Sequence, residues 1–137
     1  MYRKNNFLNF EEAELLVITK TPLHFGLKLK RLTPKNGGLK ASSLNYHQFE
    51  VGGYSKPHYH KNMEHIMYFV KGKGILTLGN EEIPVKEGSI VALPVNIPHS
   101  VKNTGDNPFG YLIFSNAIPV KGEAINPDTI RGIPVDE

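Results

Sequence analysis

The sequence predicts an all-β protein, built as one antiparallel sandwich or barrel. Ten prolines and thirteen glycines in 137 residues interrupt the chain too often for long helices. Between these breakers the apolar residues fall in short runs of strand length at regular turn spacing, which is typical of antiparallel sheets. The length fits one domain, and the absence of an internal repeat predicts one barrel rather than two.

Strands are expected along most of the chain after residue 24. The alternation in the first of them places four residues on one face: Phe25, Leu27, Leu29 and Arg31. Residues 33–38 are rich in turn formers and separate this strand from the next. The predicted strand ranges are 25–32, 42–51, 65–70, 74–78, 82–85, 89–93 and 109–114.

The segment before these strands has two interpretations. Asn9 is placed to cap a helical turn that begins at Phe10, and Glu12 is placed to complete the capping arrangement. Residues 15–19 are instead strongly β-prone and suit an edge strand. We expect a helix in the first part only.

Composition excludes several classes of function. The chain has no cysteine, so it forms no disulfide, and a bound metal must be held by imidazole, carboxylate or backbone oxygen. The formal charge of +3 is small, and the sequence contains no motif typical of a nucleic-acid-binding fold. Both observations argue against a nucleic-acid partner. No apolar stretch approaches the roughly 20 residues that cross a bilayer, and we expect no signal peptide in the first residues, because acidic residues and Asn9 interrupt the apolar pieces. We therefore expect a cytoplasmic protein with no membrane partner.

Four histidines form two compact groups that predict a metal site. His58 and His60 are two residues apart, so on a strand both side chains point to the same face. His65 begins the next strand and His99 lies on a later one, so all four imidazoles can converge inside a small barrel. The alternative is a metal-free cluster bonded to backbone or water, but it leaves buried nitrogens in need of partners.

The spacing of these histidines resembles the first motif of the cupin superfamily. In that motif two glycines flank a His-x-His pair and a third ligand, and here the glycines are Gly52 and Gly72. The third ligand is usually glutamate, whereas this chain has His65 at that position.

The second cupin motif is also matched in this chain. Asn96 stands where the family usually has glycine, and asparagine tolerates positive φ best among the other residues. The resemblance covers about residues 40–116 of a single domain, 1–137, with an N-terminal extension at 1–38 and a C-terminal arm at 117–137. The matching residues are Gly88, Pro94, Asn96, His99 and Asn103.

Glu64 offers a second register for the third ligand. It would follow His60 at a shorter spacing, but it leaves one residue too many before Gly72. His65 restores the count and begins a strand whose alternation places Met67 inward beside it. We therefore favour His65, with Glu64 as an alternative ligand or as a hydrogen-bond acceptor for an imidazole N–H.

The resemblance implies a jelly-roll barrel, also called a double-stranded β-helix, with one divalent transition metal ion held by His58, His60, His65 and His99. Imidazole suits iron, zinc, nickel, copper and, less strongly, manganese, and cobalt is a further candidate. Four neutral imidazoles leave the charge of the ion uncompensated, so the site is expected to attract a carboxylate, an enolate or hydroxide. Small cupins commonly form homodimers by adding an N-terminal strand to the partner's sheet, and residues 15–19 suit that role.

Strand parity and polarity suggest a mixed pocket wall around the ion. For each of these residues ordinary barrel filling is the alternative interpretation. The expected apolar and aromatic members are Met67, Phe69, Ile97, Val101, Phe109, Tyr111 and Ile113. The expected polar members are Tyr46, Gln48, Tyr54 and His47.

Three functions are compatible with this sequence. The favoured one is a metal-dependent enzyme that acts on a small carbonyl, enol or carboxylate compound, by oxygen insertion or by isomerisation, cyclisation or elimination. The second is a non-catalytic module that senses or stores a small organic molecule. The third is a metal-free structural barrel. Regulatory cupins normally carry a fused DNA-binding domain, which this sequence lacks, and this favours the enzyme.

Overall fold

The structure is a computed structural model that describes residues 2–19, 21–118 and 132–135. Within these ranges the chain forms a curled antiparallel sheet, which confirms the all-β prediction. Helical structure there consists of α1 (Tyr2–Asn6) and one turn of 3-10 helix (Phe10–Glu12). No helix in the described part of the chain is long and apolar enough to cross a membrane. The strands are β1 (Leu16–Ile18), β2 (His24–Arg31), β3 (Ser42–Ser55), β4 (His58–Tyr59), β5 (Met63–Lys71), β6 (Lys73–Leu78), β7 (Glu81–Lys86), β8 (Ile90–Leu93), β9 (His99–Asn103), β10 (Phe109–Ala117) and β11 (Ile133–Pro134).

The strands pair in an order that brings distant parts of the sequence together. The main path is β11-β4-β9-β3-β10-β5-β8, with β2 also on β3, β1 outside β2, β6 also on β9, and β7 outside β6. Burial alternates strictly along most of β5, so one face of the curled sheet is enclosed and the other is exposed. The enclosed face carries the core and the histidines.

Cross-strand register sorts the enclosed side chains into rungs. Residues two apart on a strand lie about 7 Å apart, so successive rungs are separated by that distance. β2 extends two of the rungs, because Arg31 lies opposite Asn45 and Leu29 lies opposite His47. Three rungs run across β3, β10 and β5: Ser43–Ser115–His65, Asn45–Ile113–Met67 and His47–Tyr111–Phe69.

An aromatic layer closes one end of the enclosed space. Phe49, Phe69 and Phe109 are fully buried. The rings of Phe69 and Phe109 stack with centroids 5.3 Å apart, and the Tyr111 ring packs against Phe69 at 5.1 Å. Aromatic pairs of this kind contribute about 0.5–1.5 kcal/mol beyond their area burial. The polar rung of Ser43 therefore lies towards the other end.

The N-terminal segment forms a strand in its β-prone part, at residues 16–18. The expected helix is reduced to the single 3-10 turn, and β1 follows it. β1 pairs with β2 of the same chain, with Leu16 opposite Leu29 and Ile18 opposite Leu27. This pairing covers an edge whose backbone groups would otherwise be free. Exchange of this strand between two copies stays a prediction.

Residues shared with the cupin motifs have structural roles. Asn96 has φ of 65°, as expected for an asparagine that replaces a glycine. Gly72 has φ of 73°, and a Cβ added there would collide with the carbonyl oxygen of Pro108. The buried amide of Asn103 donates to the carbonyl oxygens of Phe49 (3.1 Å) and Asn107 (2.9 Å), which ties β9 to β3 and to the following turn.

The chain ends differ in part from expectation. β3 continues to Ser55, beyond the predicted end at residue 51, because Gly52 and Gly53 stay within the strand. In the predicted arm, residues 119–131 and 136–137 lie outside the described residues. Within that arm β11 returns to the sheet and pairs with β4, with Pro134 opposite His58.

Candidate metal centre

The four histidines of the two motifs lie side by side. His58 and His99 begin β4 and β9, and they are direct cross-strand partners with ring centroids 4.4 Å apart. His60 follows β4, and its ring centroid lies 5.5 Å from those of both His58 and His99. His65 on β5 closes the group, with its ring centroid 4.7 Å from that of His60. Sheet curvature thus brings three separate segments to one point.

Three of these rings form a set of candidate ligands with converging nitrogens. One nitrogen from each of His58, His60 and His99 lies within 4.8 Å of the other two. The His65 ring centroid lies 6.2 Å from that of His99, so His65 stands slightly further out in the described structure.

Hydrogen bonds fix the orientation of two rings. Nδ1 of His58 donates to the carbonyl oxygen of Lys56 (2.7 Å), and Nδ1 of His99 donates to that of Ile97 (3.0 Å). A carbonyl oxygen only accepts, so Nδ1 carries the proton and Nε2 of each neutral ring keeps a free lone pair. Such bonds orient histidine ligands in metal sites.

Two nitrogens of the cluster lack a partner among the described residues. Nε2 of His65 and Nδ1 of His60 are both buried without a hydrogen bond. A buried polar atom left in this state costs about 1–3 kcal/mol. Together with the free Nε2 lone pairs of His58 and His99, these atoms offer the imidazole donors that a divalent transition metal ion binds, so the residues fit this group.

Burial keeps the cluster uncharged at neutral pH. Desolvation, together with the neighbouring imidazoles, lowers the pKa of His60 to about 2 and that of His65 to about 3. The same causes lower the pKa of His99 to about 4, and desolvation lowers the pKa of His58. Neutral imidazole is the form that binds a metal ion.

The cluster opens into a cavity of about 760 Å³. All six histidines of the chain line it, because His24 and His47 face it as well. Its apolar wall includes Leu27, Leu29, Met63, Met67, Leu93, Val101 and Ile113. Its further polar wall includes Arg31, Ser43, Asn45, Ser55, Tyr111 and Ser115.

The expected pocket wall is only partly the observed one. Met67, Val101, Tyr111 and Ile113 line the cavity. Phe69 and Phe109 do not line it, because they form the closed aromatic layer of the core. Ile97 is not part of the wall either. Its backbone carbonyl instead holds the His99 ring.

Three expected polar members lie outside the cavity. Tyr46 and Gln48 alternate with inward residues of β3 and so face the other side of the sheet, where the Tyr46 hydroxyl donates to Gln48 Oε1 (2.9 Å). The Tyr46 ring packs there against Phe10 at 5.3 Å. Tyr54 stacks on Phe25 at 4.9 Å on the outer face. His47, between Tyr46 and Gln48, is the residue of this stretch that faces inward.

The two registers for the third ligand are separated by the strand pleat. His65 is buried and faces the cluster, whereas Glu64 is exposed on the opposite face of β5. Glu64 makes no hydrogen bond with a histidine within the described ranges. The structure therefore places His65, and not Glu64, beside the other imidazoles.

His24 was missed by sequence reasoning. Simple alternation from Leu27 puts Phe25 inward and His24 outward, but the register shifts between Phe25 and Leu27. Gly26 has φ of 70° at this bulge, and the side chains before it are reversed. The glycine in an alternating run was the available signal.

A family model described as a cupin domain matches residues 45–115, just over half of the chain. Uncharacterized protein MJ1618 of Methanocaldococcus jannaschii is 37% identical over 65 residues, which are 47% of this chain and 52% of that protein. A glucose-6-phosphate isomerase of Pyrococcus abyssi is 30% identical over 119 residues, which are 80% of this chain and 63% of that enzyme. The chain therefore spans between half and two thirds of the length of these relatives.

A solved structure shares the fold over its whole length. It comes from Thermotoga maritima and is described as a predicted oxalate decarboxylase. Its TM-score is 0.73 at 19% identity, and the match covers 82% of this chain and 99% of that chain. Both histidine motifs lie inside the range that the family model matches. The chain belongs to the cupin family.

Proposed function

We propose that this cupin is a metal-dependent enzyme that acts on a small carbonyl, enol or carboxylate compound. One observation carries the proposal: converging imidazole nitrogens of His58, His60 and His99 lie within 4.8 Å of one another, beside the unpaired Nε2 of His65. Buried, uncharged nitrogens grouped in this way gain most from a transition metal ion.

His58, His60, His65 and His99 would hold the ion. When bound, a divalent ion supplies a Lewis acid for a carbonyl or enolate oxygen. All four ligands are neutral, so a negatively charged substrate is favoured at the site. The cavity volume of about 760 Å³ falls within the roughly 300–1,000 Å³ typical of small-molecule sites.

His47 and Tyr111 favour proton transfer as the reaction class. A hydrogen bond joins Nδ1 of His47 to the Tyr111 hydroxyl (3.2 Å), and both residues line the cavity outside the ligand set. Burial raises the pKa of Tyr111, so its hydroxyl keeps its proton, and burial lowers the pKa of His47 to about 3. A bound anion opposes this shift of His47, because negative charge favours imidazolium. The pair can then accept and return a substrate proton.

This assignment favours isomerisation, cyclisation or elimination over oxygen insertion, since each of the former reactions transfers a proton to or from a substrate carbon. The relative from Pyrococcus abyssi carries the name of an isomerase, which supports the same class.

The test combines metal analysis with turnover. Protein purified without chelators is analysed for metal and then reloaded separately with iron, manganese, zinc, nickel, cobalt or copper. Each form is assayed against sugar phosphates and diketones with and without oxygen. We expect turnover that needs the metal and continues without oxygen.

Two paired variants separate ligand loss from general damage. His65→Gln is expected to lose metal and turnover, whereas Glu64→Gln, one residue away on the exposed face, is expected to keep both. Oxygen consumption in step with product would contradict proton transfer. Bound metal with no turnover on any compound of the panel would leave a binding module.

A further inference from the structure

The charge pattern of the cavity wall selects a kind of substrate. Among the described residues that line the cavity, Arg31 is the one side chain with a formal charge at neutral pH, and none is aspartate or glutamate. The six histidines are uncharged there because burial lowers the pKa of each. The wall therefore carries a net positive charge at one place.

Arg31 has no competing partner within the described ranges. The ion pair found there joins Lys28 to Glu50. Both side chains lie on the face of the sheet opposite to that of Arg31. No side-chain hydrogen bond of the described residues involves Arg31. The guanidinium at the cavity mouth is thus free to pair with a ligand, and its planar fork suits carboxylate and phosphate oxygens.

Two polar side chains, Asn45 and Ser43, continue from Arg31 into the cavity. Asn45 is the direct cross-strand partner of Arg31, and Ser43 follows two residues along β3. Directly opposed residues have Cβ atoms about 4.5–5.5 Å apart, so Asn45 and Arg31 can contact the same group. Neither Ser43 nor Asn45 makes a side-chain hydrogen bond to another described residue. Ser43 lies opposite Ser115, which bonds His65, so a polar strip leads from Arg31 to the imidazoles.

We infer that Arg31 and Asn45 form an oxyanion subsite that binds a carboxylate or phosphate group of the substrate and directs its other end towards the imidazole cluster. The inference rests on the proposed function and specifies its substrate class as a small anionic compound. The apolar part of the wall, which includes Met67, Leu93 and Val101, would contact the carbon skeleton.

Calorimetry on metal-free protein at pH 8 tests this subsite, with inorganic phosphate and malonate as separate probes. At that pH the imidazoles are neutral, so Arg31 is the cation that the probe meets. We expect wild-type protein to bind at least one probe, and the stronger probe identifies the anionic group. Arg31→Gln is expected to weaken binding about tenfold or more, the loss of one charge-assisted hydrogen-bonded contact.

Two further variants complete the test. Lys86→Gln removes one positive charge from an exposed site on β7 and is expected to change the affinity less than about twofold, because the solvent screens that charge. Asn45→Asp keeps Arg31 in place but sets a carboxylate beside it, and should weaken binding as much as Arg31→Gln. Absence of binding to the wild type, or equal affinity in wild type, Arg31→Gln and Asn45→Asp, would overturn the inference. Because no metal is present, these outcomes are independent of metal content and turnover, on which the proposed function depends.

Discussion

Nδ1 of His65 lies 2.8 Å from the hydroxyl oxygen of Ser115, its direct cross-strand partner on β10. The bond aims the other ring nitrogen, the unpaired Nε2, into the cluster. A serine on a neighbouring strand therefore orients a residue that the proposed metal site needs. This relationship is invisible to motif matching, since the two residues are 50 positions apart.

Ser115→Ala is expected to weaken metal affinity about 10- to 100-fold, the usual effect of removing a group that orients a ligand. Affinity is measured by competition with a chelator of known strength. Ser42→Ala is the matched control, because Ser42 donates to Asn116 Oδ1 (2.9 Å) across the neighbouring pair β3 and β10 without contacting a histidine. Equal losses in both variants would show that the serine acts through general stability.

Strand alternation explains which residues of the candidate site could be predicted from the sequence. Alternation along β5 correctly placed His65 and Met67 on one face, because nothing interrupts the pleat there. On β3 the adjacent residues Tyr46, His47 and Gln48 were expected to line the same pocket, and the pleat allows only His47 among these three to do so. On β2 the bulge at Gly26 reversed His24, and alternation alone, without attention to that glycine, predicts the opposite face. Metal-ligand candidates thus followed from spacing, whereas the remaining wall depended on register between distant strands.

Phe109→Ala is expected to lower the free energy of unfolding by about 3–5 kcal/mol, because it opens a cavity in the closed aromatic layer. Urea unfolding measures the change. Phe114→Ala on the same strand is the control, since Phe114 is 42% exposed and should cost far less. Similar losses at the two positions would contradict the assignment of Phe109 to the core.

Gly72→Ala should destabilise the protein more than Gly88→Ala. Both glycines have positive φ, at 73° and 91°, so both substitutions carry a strain of about 1–2 kcal/mol. A Cβ at residue 72 also collides with Pro108, whereas a Cβ at residue 88 meets nothing within 4 Å. The difference between their thermal midpoints measures the collision, and equal midpoints would refute close packing of Gly72 against Pro108 and the start of β10.

Metal-free protein is expected to lose stability on acidification partly through His47. Its pKa is about 3 in the folded state and about 6.5 when exposed, so the unfolded chain binds the proton first as pH falls. Stability from this residue is present above pH 6.5 and is lost as pH falls from there towards 3. Between pH 7.5 and 5.5 the expected loss is about 1 kcal/mol.

Urea unfolding at the two pH values checks the contribution of His47. His47→Gln should reduce the pH-dependent loss by about that 1 kcal/mol, because it removes the titrating group. Tyr111→Phe keeps the imidazole and should retain the dependence on pH. An unchanged pH dependence in His47→Gln would show that this histidine is not held in its neutral form.

Anomalous difference density from crystals grown from metal-replete protein would show whether these four histidines hold a metal ion. We expect one peak with nitrogen atoms of His58, His60, His65 and His99 at about 2.0–2.2 Å, the usual bond length from imidazole to a transition metal. An empty cluster in metal-replete crystals, or a peak bound by Glu64 instead of His65, would contradict it.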